Sequence, residues 1–198
     1  MIDYKKYWQT DNLRNIVAGT DTENPEGWDP VEVLREMLKT MDFETVLDFG
    51  CGYGRLCKAF QPKNYTGIDL NPQAIQEAQK RYPDYFFKEI EVDSEYDNVD
   101  IVLAYTVFLH LDDDTLGIIL QRLRKACNNY LIIGEILGRE WRRPGDPPVF
   151  NRNHDDYISL LQRHGFQVIK EYKLPYKRYA NSPYFKNKNT DLSFLICI

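Results

Sequence analysis

Residues 46–60 read VLDFGCGYGRLCKAF: an apolar run carrying Asp48, then glycines at positions 50, 52 and 54. Little else in the chain limits the fold so sharply. An apolar run that stops in a glycine-dense segment is a strand ending in a turn, and glycine there lets backbone come close to a polar ligand. The spacing is G-x-G-x-G. A dinucleotide fingerprint would need glycine at 55, where Arg55 stands, and no Gly-Lys-Ser/Thr ending of a phosphate-cradling loop follows. Asp48 narrows the ligand further, because a carboxylate repels phosphates and attracts an ammonium group.

Around this loop, strand-like and helix-like segments alternate. Asp29-Pro30 predicts a capped helix whose inner face is Val31, Leu34, Met37 and Leu38. Strands are expected at FETVLDFG (43–50), YTGIDL (65–70), YFFKEI (85–90), VDIVLAYTVF (99–108), YLIIGEIL (130–137), FQVIKEYKL (166–174) and LSFLICI (192–198). Helices are expected at RLCKAF, at 72–82 after Asn71-Pro72, from Asp112–Asp114 onward, and at 155–165. This alternation predicts an α/β fold: a doubly wound, seven-stranded, mostly parallel sheet. The last two strands have no helix between them, so the final one is expected to be antiparallel. Ligands of such sheets bind at the carboxyl ends of the strands, the edge that carries the glycine loop.

The 198 residues suit a single domain, 1–198, with 1–28 as an N-terminal cap or lid and 138–153 as an insertion on the acceptor side. A formal net charge of −5 does not suggest a broad basic footprint for nucleic acid. The longest apolar stretches fall far short of a membrane span, and MIDYKKYWQT has no secretory core. Cys51, Cys57, Cys127 and Cys197 show neither CxxC pairing nor zinc-ligand spacing, so free thiols and a cytoplasmic location are expected.

Asp69 ends GIDL, where a carboxylate can accept both hydroxyls of a ribose. The loop and Asp69 together describe a ligand with a cationic amino acid end and a ribose end. VLDFGCGYG, GIDLNPQAIQEAQKRYP, YDNVDIVLAYTVFLHL and the terminal helix-GF-strand-strand pattern resemble class I S-adenosylmethionine-dependent methyltransferases, from about residue 29 to the C-terminus. The resemblance implies a Rossmann-like methyltransferase fold and S-adenosyl-L-methionine as cofactor. By position it implies that Asp48, Gly50, Gly52 and Gly54 line the methionine moiety, with Cys51 and Tyr53 contributing backbone. Asp69 would hold the ribose and Leu70 pack on the adenine. Glu91 and Asp93 are alternatives for the adenine amino group, and Ala104 and Tyr105 would flank the sulfonium.

Methyl transfer needs an aligned acceptor and, for many acceptors, a base. His110, in TVFLHL, is the candidate base, since imidazole titrates near neutrality; a structural histidine is the alternative. Tyr105 either points into the site or packs. Asp112–Asp114 read as an acidic helix start, and no metal is expected. Glu135, Arg139, Trp141, Arg142, Arg143, Arg152 and His154 crowd the insertion, whose arginines suit an anionic or sugar-like small acceptor; a solvated, proline-pinned loop is the alternative. Tyr4, Tyr7 and Trp8 form either a lid over the cofactor or a satellite apolar cluster.

The expected activity is methyl transfer to an oxygen or nitrogen of a small molecule. The alternatives are methylation of RNA or protein, or a non-catalytic cofactor-binding subunit. Against nucleic acid, AYTVF stands where amino-directed DNA and protein enzymes carry Asn-Pro-Pro-aromatic. A nicotinamide-dependent oxidoreductase is disfavoured by the glycine spacing and Asp48.

Overall fold

A computed structural model describes residues 4–9, 29–139, 148–176 and 190–198. Its strands form one sheet in the order β3-β2-β1-β4-β5-β7-β6. Contacts group the chain into two compact units, Met1–Glu95 and Tyr96–Ile198.

In the first unit, α1 (Tyr4–Trp8) and α2 (Pro30–Leu38) precede β1 (Val46–Phe49), β2 (Tyr65–Asp69), α3 (Pro72–Arg81) and β3 (Phe86–Glu89). Each longer helix starts as its local chemistry dictates. The Asp29 side chain accepts from Val31 N at 2.9 Å and the Asn71 side chain from Ala74 N at 2.9 Å, each followed by proline, which is pre-set for the first helical turn. Leu34, Met37 and Leu38 form the buried face of α2, and Ala74, Ile75 and Ala78 that of α3. Strands β1, β2 and β3 pair in parallel, with Asp48 opposite Gly67. All four residues of β1 are buried, as expected for a strand covered on both faces.

The second unit holds β4 (Val99–Tyr105), α4 (Asp113–Ala126), β5 (Cys127–Leu137), α5 (His154–Arg163), β6 (Val168–Tyr176) and β7 (Thr190–Cys197). Strands β4 and β5 are parallel, whereas β7 runs antiparallel to both β5 and β6, as the missing helix between the last two strands required. Its core mixes aliphatic and aromatic side chains: Ile101–Leu103, Leu116, Leu120, Leu123, Leu131–Ile133, Phe108 and Phe194 are essentially inaccessible. Each such side chain contributes about 1.5–3 kcal/mol of burial free energy.

Two elements differ from expectation. RLCKAF is not an α-helix. Turns are followed by a 3₁₀ turn at Cys57–Ala59, through a chain of i→i+3 bonds (Cys57 N to Gly54 O, Ala59 N to Leu56 O, Phe60 N to Cys57 O). Seven residues between Gly54, at φ 72°, and the proline turn at Pro62–Asn64 are too few to offset helix nucleation. The apolar run 99–108 also leaves the sheet early, at Tyr105, because Thr106 adopts φ 55°.

Candidate functional site

The glycine loop grows out of β1. Gly50, Gly52 and Gly54 have φ of 72°, 53° and 72°, a left-handed conformation that side chains with a Cβ rarely adopt. Gly50 N and Cys51 N both donate to Ile68 O, at 2.8 and 3.0 Å, anchoring the loop to β2. Asp69, at the end of β2, holds the loop from the other side: Oδ2 accepts from Gly52 N at 2.8 Å and Oδ1 from Asn71 N at 2.9 Å. Each carboxylate oxygen has a second lone pair, so these bonds leave acceptor capacity for hydroxyl groups. Asp48 is only 2% exposed, and its Oδ2 accepts from the Tyr65 hydroxyl at 2.6 Å. Burial pushes its pKa up to about 6, against the pull of Tyr65 and Arg55. Burial also raises Asp69 and holds the Cys51 thiol well above its usual range, so that thiol stays protonated.

The remaining cofactor-side candidates of this unit follow in the turns after β2 and β3. Leu70 is half-buried after Asp69. Glu91 and Asp93 are exposed in the turn after β3, where Glu91 N donates to Ser94 Oγ at 2.9 Å. The Asn71 side chain donates to Trp8 O at 2.5 Å, which ties α1 to the β2–α3 turn, and the Tyr7 and Trp8 rings meet edge to face. Tyr4's side chain lies outside the described residues.

In the second unit, Ala104 and Tyr105 close β4, both buried. The Tyr105 ring is 3% exposed and stacks on Phe194 at 5.5 Å. Gly134 makes that placement possible, since a Cβ there would lie 2.4 Å from Tyr105 Cδ2. Next comes Thr106, a β-branched residue at φ 55°, where backbone strain is genuine. Its N–H donates to Gly134 O at 2.8 Å. A 3₁₀ turn over Phe108–His110 then presents His110, whose Nδ1 lies 2.7 Å from Pro148 O. A carbonyl only accepts, so Nδ1 carries the proton and, in the neutral ring, Nε2 carries the lone pair.

Glu135 and Arg152 meet on the His110 turn, whereas Arg139 and His154 pair elsewhere. Glu135, 0% exposed, faces the His110 turn, and its Oε1 accepts from Val107 N at 3.0 Å and Phe108 N at 2.8 Å. Burial pushes its pKa up to about 8, although the same backbone donors oppose the shift. Arg152, 5% exposed, donates to Phe108 O, to Leu111 O and to Asp113 Oδ1. Arg139 is exposed and pairs in bidentate fashion with Asp156. His154 meets Glu171, with Nε2 to Oε2 at 3.2 Å. Trp141, Arg142 and Arg143 lie outside the described residues. Among the described residues, no group of three or more His, Cys, Asp or Glu side chains could hold a metal ion. No helix among them is long and apolar enough to cross a membrane.

Residues 47–129 match a family described as a methyltransferase domain. Over those residues, somewhat under half of its length, the chain is similar to methyltransferase domains.

Solved structures share the methyltransferase fold at low identity. Magnesium protoporphyrin IX methyltransferase from Synechocystis PCC 6803, solved with S-adenosylmethionine, is 17% identical, with a TM-score of 0.64 over 83% of this chain and 77% of that one. An S-adenosylmethionine-dependent methyltransferase from Leishmania major is 14% identical, with a TM-score of 0.70 over 98% of this chain and 81% of that one. A third, from Methanosarcina mazei, is 16% identical, with a TM-score of 0.66 over 82% and 95%. No curated protein sequence matches the chain.

The chemistry of the loop fits S-adenosylmethionine, the group bound in the Synechocystis structure. Two carboxylates at strand ends suit an ammonium and a ribose diol. With only a 3₁₀ turn behind it, the loop lacks the helix N-terminus that pyrophosphate sites use. Sequence reasoning missed Tyr65, Thr106 and Gly134. A tyrosine opening the strand beside Asp48's, and a glycine within the apolar run YLIIGEIL, were the only signals for two of them.

Proposed function

We propose that this methyltransferase moves a methyl group to an oxygen or nitrogen of a small acceptor, with His110 as general base. When bound, S-adenosylmethionine supplies a methyl group activated by a positively charged sulfur. Asp48 would hold the amino acid end and Asp69 the ribose, with Gly50, Cys51, Gly52 and Gly54 giving close backbone contact. Leu70, with Glu91 or Asp93, would meet the adenine, and buried Ala104 and Tyr105 would form an apolar wall. His110 would accept the acceptor's proton at Nε2 as the new bond forms.

The observation that carries this reading is the Nδ1–Pro148 bond, which makes Nε2 the basic nitrogen of the neutral ring. An anionic acceptor would meet Arg139, whose side chain is 67% exposed and paired with Asp156. Turnover of isotopically labelled methyl donor with a panel of small phenols, hydroxy acids, sugars and amines tests the proposal. His110→Asn is expected to lower kcat by about 10²–10⁴-fold, with S-adenosylhomocysteine affinity unchanged. Unchanged kcat in that variant removes the base. Turnover only with RNA or protein removes the small acceptor.

A further inference from the structure

The turn that carries His110 is unusual in how it is held. Thr106 enters it strained, at φ 55°, and Val107 provides no side-chain cap for the 3₁₀ turn that follows. Its exposed donors are instead met from β5, where Glu135 Oε1 takes both Val107 N and Phe108 N. Its carbonyls are met from the segment before α5, where Arg152 Nη1 reaches Phe108 O at 3.0 Å and Nη2 reaches Leu111 O at 2.7 Å. The same guanidinium is fixed by Asp113 Oδ1, at 2.9 Å from Nε and 2.6 Å from Nη2, with the Phe150 and Tyr157 rings near it. Phe150 N donates to Leu109 O at 2.8 Å, completing the frame.

Holding a turn does not require this much. A serine or asparagine at position 107 would cap the donors locally, at little desolvation cost. Burying a carboxyl and a guanidinium is expensive by comparison. Glu135 Oε2, moreover, has no hydrogen-bond partner among the described residues. One oxygen of this side chain is therefore committed to the turn.

We propose that Glu135 and Arg152 are positioning residues that clamp the two ends of the His110 turn and aim Nε2, and that neither is a ligand of the acceptor. The clamp gains catalytic meaning through the assignment of His110 as base, on which it rests. Glu135 works through its accepting oxygen, so a neutral isostere keeps the function while an apolar residue loses it. Arg152 works through its forked donors, which lysine cannot reproduce.

Four variants test this: Glu135→Gln, Glu135→Met, Arg152→Lys and His110→Asn. Glu135→Gln is expected to keep kcat within about threefold, whereas Glu135→Met and Arg152→Lys lose about 10–100-fold in kcat with acceptor KM nearly unchanged. Nitrogen NMR of His110 supplies a readout independent of turnover. The Nδ1-protonated tautomer is expected in the parent and in Glu135→Gln, and a mixture in Arg152→Lys and Glu135→Met. If Glu135→Met fails to fold, the contrast between Glu135→Gln and Arg152→Lys still decides. A rise in KM at constant kcat makes these residues acceptor ligands and overturns the clamp, as does an unchanged tautomer in Arg152→Lys. If His110→Asn turns over normally, the base assignment falls, while the tautomer measurement still judges the clamp.

Discussion

Asp48 is a carboxyl poised between two protonation states. Buried beneath the loop, its pKa is raised to about 6, and the Tyr65 hydroxyl at 2.6 Å works against that rise. A bound ammonium favours the ionised form, so below pH 6 binding must expel a proton. Affinity for S-adenosylhomocysteine is expected to weaken there by up to about tenfold per pH unit. Tyr65→Phe removes the donor and moves the onset to higher pH, while Asp48→Asn abolishes the dependence. Calorimetry between pH 5 and about 8 reads all three, and a flat profile in the parent removes Asp48 from the ammonium site. Gly54 makes a different demand. Alanine there must adopt φ +72° and set its Cβ 2.6 Å from Phe87 Cζ. Gly54→Ala is expected to cost about 1–3 kcal/mol in urea denaturation. A loss of a few tenths would mean that the β3 ring yields freely.

Helix α3 does two jobs with one side chain. Asn71 caps it through Oδ1 and anchors α1 through Nδ2, and α1, at five residues, is too short to persist by itself. Asn71→Asp keeps the cap and loses the anchor, so its melting temperature should hold while amide exchange over residues 6–9 quickens. Asn71→Ala loses both, at about 1 kcal/mol for the cap. Unchanged exchange in Asn71→Asp would show that α1 is held otherwise. Features of this local kind were legible in the sequence: Asp29-Pro30, Asn71-Pro72 and Asp112 each start a helix where they stand, since a cap bonds within its own turn. The mostly parallel sheet followed from the alternation of elements, and the antiparallel β7 from a missing helix. What stayed hidden depends on partners far along the chain. Arg152 reads as a free arginine until Phe108, 44 residues away, takes its Nη1. Tyr65 reads as an ordinary strand residue until β1 brings Asp48 beside it. Thr106 has strong strand propensity, yet Gly134 O and the Glu135-held turn override it.

Over the whole molecule, the two strongly shifted carboxyls set how stability responds to pH. Burial raises Asp48 from 3.8 to about 6 and Glu135 from 4.5 to about 8. In each window the folded chain binds more protons than the unfolded one, so stability falls as pH rises: from about 4 to 6 for Asp48 and from about 4.5 to 8 for Glu135. Asp156 has the opposite sign, its carboxyl being held low by Arg139, but that pair is exposed and solvent screens it. The net expectation is a melting temperature that drops between pH 5 and about 8, by about 2–4 °C for each kcal/mol lost. Glu135→Gln removes the ionisable group and keeps the accepting oxygen. It should flatten the curve above pH 6 while leaving the Asp48 portion below pH 6 in place. Thermal scans of the two proteins across this range decide the matter. If the variant's curve runs parallel to the parent's, Glu135 is ionised throughout, and the turn it holds is gripped by a charge at every pH measured.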